Sequence, residues 1–138
     1  MTRMAVPGAT PQVRATEPAE IVYAEPTDLA LVREFVRTTA RELGLAEDRA
    51  DLLTVAVSEL ATNTLQHTHG AGRVRVQAAG DRIRCEVIDG GAARQFGRSM
   101  PAPHEPRGRG LAIVERICDS VEVTREADGT HVRLTMRR

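Results

Sequence analysis

Residues 52–67 read Leu52-Leu53-Thr54-Val55-Ala56-Val57-Ser58-Glu59-Leu60-Ala61-Thr62-Asn63-Thr64-Leu65-Gln66-His67. The stretch is mostly apolar or small, and Glu59, Asn63 and His67 fall within it at steps of four. Residues four apart stack on one helix face. The stretch therefore predicts a helix with a stripe to bury and a carboxylate, an amide and an imidazole in line beside it. Glu59 alone would say little, since most helical glutamates point into water. Asn63 says more, because its amide competes for backbone hydrogen bonds and is a poor choice in mid-helix. Two polar groups kept on a core helix call for partners, water or a ligand.

Working outward, this helix opens on the acids of Ala46-Glu47-Asp48, which suit the positive end of the helix dipole, and runs to about His67, with His69 and Gly70 ending it. Upstream, Pro26-Thr27-Asp28 supplies a helix start with Thr27 or Asp28 as N-cap. Leu29, Val32, Phe35, Val36 and Leu43 give that helix an apolar side, and Gly44 stops it. A short strand precedes it at 20–24, and residues 1–18 read as a flexible lead-in, so the ordered domain is expected over 19–138. Downstream, 73–79 alternates Val74, Val76 and Ala78 with Arg73, Arg75 and Gln77, and 82–88 alternates through Ile83, Cys85 and Val87. Gly80-Asp81 joins the two as an antiparallel hairpin. Residues 92–106 carry three prolines and no period, so they read as a loop, and a loop this long in a compact domain is usually functional or mobile. A third helix from Gly110 to about Cys118 is followed by strands at 120–125 and 130–136 about an Asp128-Gly129 turn. Helix pairs and hairpins of this kind give an α+β fold, a sheet covered on one face by helices.

Composition removes several classes of chemistry. The 138 residues carry 19 basic and 19 acidic side chains, so a net charge of zero gives no general attraction to nucleic acid or to an anionic membrane. Aromatic residues are only Tyr23, Phe35 and Phe96, which leaves no stacking platform for single-stranded bases. Every basic residue is arginine. With no lysine the chain can form neither a P-loop nor an ordinary protein-kinase site, nor a Schiff base. Phosphate charge must then be met by Arg, backbone N–H groups or a metal. Cys85 and Cys118 form no CxxC pair and indicate neither a disulfide framework nor zinc. The N-terminal residues lack the apolar run of a signal peptide or membrane span, and a cytoplasmic location is expected.

Two further sites carry chemistry. Asp89 ends the 82–88 strand and precedes Gly90-Gly91, where a carboxylate can serve a turn or accept from the exocyclic amine of adenine. Arg107-Gly108-Arg109-Gly110-Leu111 enters the third helix. Its context fails the dinucleotide fingerprint, since no strand precedes it and no third glycine follows. Glycine-rich backbone opening a helix remains, whose free N–H groups suit phosphate oxygens. His67 and His69, two apart, share no helix face and do not make a metal pair. A carboxylate for base work, an amide for a metal, an acid at a strand end and glycines at a helix start are together the parts of an ATP site.

Taken in order, Glu59-x-x-x-Asn63-x-x-x-His67, Asp89-x-Gly91, Gly108-x-Gly110-Leu111 and Gly129-Thr130 resemble the GHKL (histidine kinase-like) ATPase superfamily, and the one-domain length resembles its anti-sigma regulatory factors of the serine-kinase type. The chain departs from the pattern at Ala93, where many relatives carry a second glycine. The resemblance implies a two-layer α/β sandwich of the Bergerat type, with a mixed, mainly antiparallel sheet and helices on one face. It implies Glu59 as general base, Asn63 as the Mg²⁺ ligand with His67 beside it in the cofactor set, and Asp89 with Gly91 and Thr130 at the adenine. It also implies Gly108, Gly110 and Leu111 at the phosphates, where Arg107 or Arg109 supplies the cation. The expected function is an ATP- and Mg²⁺-binding anti-sigma-type regulator that transfers the γ-phosphate to a Ser or Thr of a protein antagonist. The alternative is a non-catalytic, ATP-dependent binding module that sequesters a sigma factor or antagonist. Neither reading calls for nucleic acid or membrane, and the resemblance also allows a homodimer.

Overall fold

The computed structural model describes residues 16–67, 71–89 and 106–138. Among the described residues, five strands and three α-helices follow in the order β1 (Ala19–Tyr23), α1 (Leu29–Glu42, after one 3-10 turn at Pro26–Asp28), α2 (Glu47–His67), β2 (Gly72–Ala79), β3 (Arg82–Asp89), α3 (Pro106–Ile117), β4 (Ser120–Glu126) and β5 (Gly129–Arg137). The strands form one sheet in the order β1-β2-β3-β5-β4. Every described pairing is antiparallel, so the expected mixed character is absent among the described residues. β2–β3 and β4–β5 are hairpins, β1 joins its neighbour β2 through α1 and α2, and the β3–α3–β4 connection steps past one position that β5 then fills, antiparallel to both.

The alternation read from sequence sets the two faces. Val74 and Val76 of β2, Ile83, Cys85 and Val87 of β3, and Leu134 and Met136 of β5 are buried against the helices. They meet Val32, Val36 and Ala40 of α1, Leu53, Ala56, Val57, Leu60 and Ala61 of α2, and Val114 of α3 in one core. Cys85 is sealed within it, and burial pushes its thiol up, as befits a small apolar residue. The outer face is held by arginine–carboxylate pairs between strands: Arg75–Glu20 at 2.7 Å, Arg73–Asp128 at 2.9 Å and Arg133–Glu86 at 3.2 Å. Half-exposed pairs of this kind contribute about 0–1 kcal/mol each, so the core and not this face sets stability.

Turn chemistry fixes the registers. Gly44, at φ 106°, lets the Leu45 N–H reach the Ala40 carbonyl and its own N–H reach that of Arg41, both at 3.0 Å. This Schellman arrangement folds α2 back beside α1 and buries Leu45. Between β2 and β3, Gly80 at φ 66° is the first central residue of the hairpin. Asp81 keeps a negative φ, the pattern of a type II′ turn. The β4–β5 loop is Ala127-Asp128, one residue earlier than expected, because Gly129 already pairs with Glu126.

Other local expectations shift as well. The first strand is one residue earlier than 20–24. Asp28 stands at the N-cap position of α1 but does not cap that helix. Its carboxylate turns back to accept the N–H groups of Ala24 at 2.8 Å and Glu25 at 3.0 Å, bracing the β1–α1 turn. Thr16 exchanges hydrogen bonds with Ala78 at the edge of β2. The third helix begins at Pro106, four residues before the expected start at Gly110. Proline at a first helical position presets φ and loses no bond there, so it starts the helix instead of ending the loop.

Candidate active site

Residues at one end of the sheet form a row across all five strands. Tyr23 pairs with Gly72, Gly72 with Asp89, Asp89 with Thr130 and Thr130 with Arg125. Directly opposed residues project to the same face, and this row shares the helix-facing side of Val74 and Val87. Asp89 and Thr130 are 5% and 3% exposed, two of the three buried polar residues in the described chain. The Thr130 hydroxyl forms no hydrogen bond to any described residue.

α2 covers this row. Its core stripe runs through Ala50, Leu53, Thr54, Val57, Leu60 and Ala61, and Thr64 continues it toward the end of the sheet. Thr64 and Asp89 both act on the buried Tyr23 phenol. Burial pushes that group up to about 12, Thr64 lowers it somewhat and the Asp89 charge raises it further. The second half of α2, the end of β3 and β1 thus meet at one place.

Helix geometry places Glu59 and Asn63. Arg37 of α1 pairs with Asp51 at 3.0 Å and Arg33 reaches Ser58 at 3.4 Å, so α1 runs along the 51/58 line of α2. At 100° per residue, Ala56, Glu59 and Asn63 fall on the opposite flank. That is the side left for α3, which also packs on α2. Glu59 and Asn63 are both half-buried, at the border of the core stripe. Asn63 adjoins Thr64, and Glu59 lies one turn earlier. His67 closes the helix. Gly91 lies outside the described residues.

Arg107, Gly108, Arg109, Gly110 and Leu111 all fall within the first half of α3. In a regular helix whose first residue is Pro106, the N–H groups of Arg107 and Gly108 have no intrahelical acceptor, whereas those of Arg109 and Gly110 can bond to the carbonyls four residues back. The free amides therefore lie around Gly108.

Chemically, the buried row offers one carboxylate acceptor and two hydroxyls, a set suited to an edge that carries an amine. Among the described residues no cluster of three His, Cys, Asp or Glu side chains forms a protein cage for a metal. No helix among them is long and apolar enough to cross a membrane. Sequence reasoning missed Tyr23 and Gly72. The available signal was weak: one of three aromatic residues, and a glycine beginning a strand.

Comparison with known proteins agrees with this architecture. Residues 22–136 match the histidine kinase-like ATPase domain. The serine-protein kinase RsbW of Bacillus velezensis is 30% identical over 118 residues, 74% of each chain. RsbW of Bacillus subtilis is 28% identical over 130 residues, covering 83% of this chain and 81% of that one. The solved RsbU and RsbW domains of a Mycobacterium tuberculosis protein superpose with a TM-score of 0.65 at 26% identity. That match covers 88% of this chain, which spans 32% of the larger one. With the buried Asp89–Thr130 pair at the sheet's end and α2 folded over it, the chain belongs to the histidine kinase-like ATPase family.

Proposed function

We propose that this chain is an ATP-binding regulator of the anti-sigma type that phosphorylates a serine or threonine of a protein antagonist. The observation that carries the reading is the convergence of Asp89, Thr130 and the Thr64 end of α2, with Asn63 and Glu59 following along the same helix. Asp89 accepts the amine of the base, and the Thr130 hydroxyl, which meets no described partner, turns to the same edge. The Asn63 side-chain oxygen holds Mg²⁺, a hard ion that takes oxygen ligands and commonly relies on phosphates for the rest of its shell. His67 stands one turn beyond. Amides at Arg107 and Gly108 receive phosphate oxygens, with Gly110 and Leu111 continuing the helix behind them and Arg107 or Arg109 taking the place of the absent lysine. Bound ATP supplies the transferable phosphoryl group, and Mg²⁺ offsets its charge. Glu59 accepts the proton of the attacking hydroxyl at its carboxylate, as a general base must.

The domain is proposed to occupy 19–138. Its partners are proposed to be a sigma factor, the antagonist or both, reached in the cytoplasm without nucleic acid or membrane and with homodimerisation compatible with this reading. Incubation with labelled ATP, Mg²⁺ and candidate antagonists tests it. Wild type should transfer label and Glu59→Ala should lose transfer by at least about a hundredfold, while both retain ATP binding. Equal transfer by the two proteins refutes the base assignment. Binding of ATP and partner with no transfer by wild type would instead favour the binding-module alternative.

A further inference from the structure

Gly72 decides how Tyr23 lies. With no side chain at position 72, the Tyr23 ring passes over β2, and a Cβ there would fall 2.3 Å from Cζ and 2.4 Å from the hydroxyl oxygen. The hydroxyl is thereby carried from β1 across one strand spacing, about 4.8 Å, toward Asp89 on β3. Tyr23 is completely buried, and its hydroxyl makes no properly formed hydrogen bond to any described residue, although Thr64 and Asp89 lie near enough to influence it. A buried hydroxyl left without a full partner keeps the desolvation penalty of burial without the bond that offsets it. Phenylalanine would fill the same ring space without that cost. The polar end of this side chain therefore points to a ligand.

We infer that Tyr23 is a specificity-determining residue at the base-binding end. Its hydroxyl donates, directly or across one water, to the ring nitrogen beside the amine that Asp89 accepts. The inference rests on the nucleotide reading above. The six-membered edge of adenine presents an amine donor next to a ring-nitrogen acceptor. A carboxylate answers only the first, and the second needs a donor. The phenol is protonated throughout the physiological range, so it always offers one. Guanine presents a carbonyl and an N–H in those places, which sets acceptor against acceptor at Asp89 and donor against donor at Tyr23.

The test compares binding of Mg-ATP and Mg-1-deaza-ATP, in which a carbon replaces that ring nitrogen, by calorimetry. Wild type, Tyr23→Phe and Tyr23→Met are measured, the last filling the space with a flexible apolar chain should the first not fold. Both variants should bind ATP about tenfold more weakly than wild type, the equivalent of one hydrogen bond, yet bind 1-deaza-ATP as wild type does. Unchanged ATP binding by the variants overturns the Tyr23 assignment and leaves the nucleotide site standing. An equal loss for both nucleotides shows that the residue only supports the fold and also overturns it. Wild type that binds neither nucleotide overturns the nucleotide reading, and the inference with it.

Discussion

Replacing Gly72 with alanine places a methyl carbon inside the space held by the Tyr23 ring. The added Cβ would stand 2.3 Å from Cζ, 2.4 Å from the hydroxyl oxygen and 2.7 Å from Cε1. Ordinary carbon contacts lie near 3.5–4.0 Å, so three atoms of a fully buried ring must move by roughly an ångström. Tyr23 has nowhere open to move, because it is 0% exposed. Overpacking of this kind costs typically about 1–3 kcal/mol, and three simultaneous overlaps put Gly72→Ala at the upper end, about 2–3 kcal/mol. For a chain of this size that lowers Tm by about 8–12 °C. Gly72 does not adopt a positive φ, so alanine itself suits the backbone there. Without the ring the change should be neutral or stabilising by about 0.4–1 kcal/mol. Leucine at position 23 is too short to reach over β2. The cost of Gly72→Ala should therefore vanish in a Tyr23→Leu background, although Tyr23→Leu is itself destabilising. Urea unfolding of the four proteins in the cycle measures the coupling, expected near 2 kcal/mol. Additive effects would refute both the steric argument and the placement of Tyr23 over Gly72.

The same pair shows where sequence reading stops. The strands were legible because Val74, Val76, Ile83, Cys85 and Val87 alternate in the chain and are buried in the fold. α2 was legible because Leu53, Val57, Leu60 and Ala61 repeat at helical spacing and are its buried face. Glu59 and Asn63 could be singled out by being polar beside that stripe. Asp89 and Thr130, 41 positions apart, became neighbours only through the β3–β5 register. That register depends on β5 inserting between β3 and β4, and no local pattern encodes such an insertion. Tyr23 reaching over Gly72 is less legible still, since a ring crossing a neighbouring strand depends on an absent side chain 49 positions away. The start of α3 was misplaced for a local reason. Pro106 suits a loop and a first helical position equally well by its fixed φ, and the fold uses it as the latter.

Three further outcomes are expected. Asp89→Asn keeps the side chain's shape but loses its charge and one acceptor, so Mg-ATP affinity should fall at least about tenfold while the circular dichroism spectrum is unchanged. Undiminished affinity would remove Asp89 from the base-binding set. Gly44→Ala forces a left-handed φ of 106° on a residue with a Cβ and brings that carbon to 3.2 Å from Cδ of Arg138, so it should destabilise by about 1–2 kcal/mol in urea titrations. Asp28→Asn tests the β1–α1 brace through pH. Two backbone N–H bonds, from Ala24 and then Glu25, hold the Asp28 carboxyl below its ordinary 3.8 in the folded chain. A lowered folded-state pKa contributes stability that is fully present above 3.8 and is lost as pH falls through the folded value. The urea midpoint of wild type should therefore exceed that of Asp28→Asn at neutral pH, and the gap should narrow below 3.8 and close once the carboxyl is protonated in both states. Every other carboxylate, Asp128 included, is common to both proteins and cancels in the difference. A gap that stays constant from pH 7 to about pH 2 would mean that the charge on Asp28 does not hold the turn.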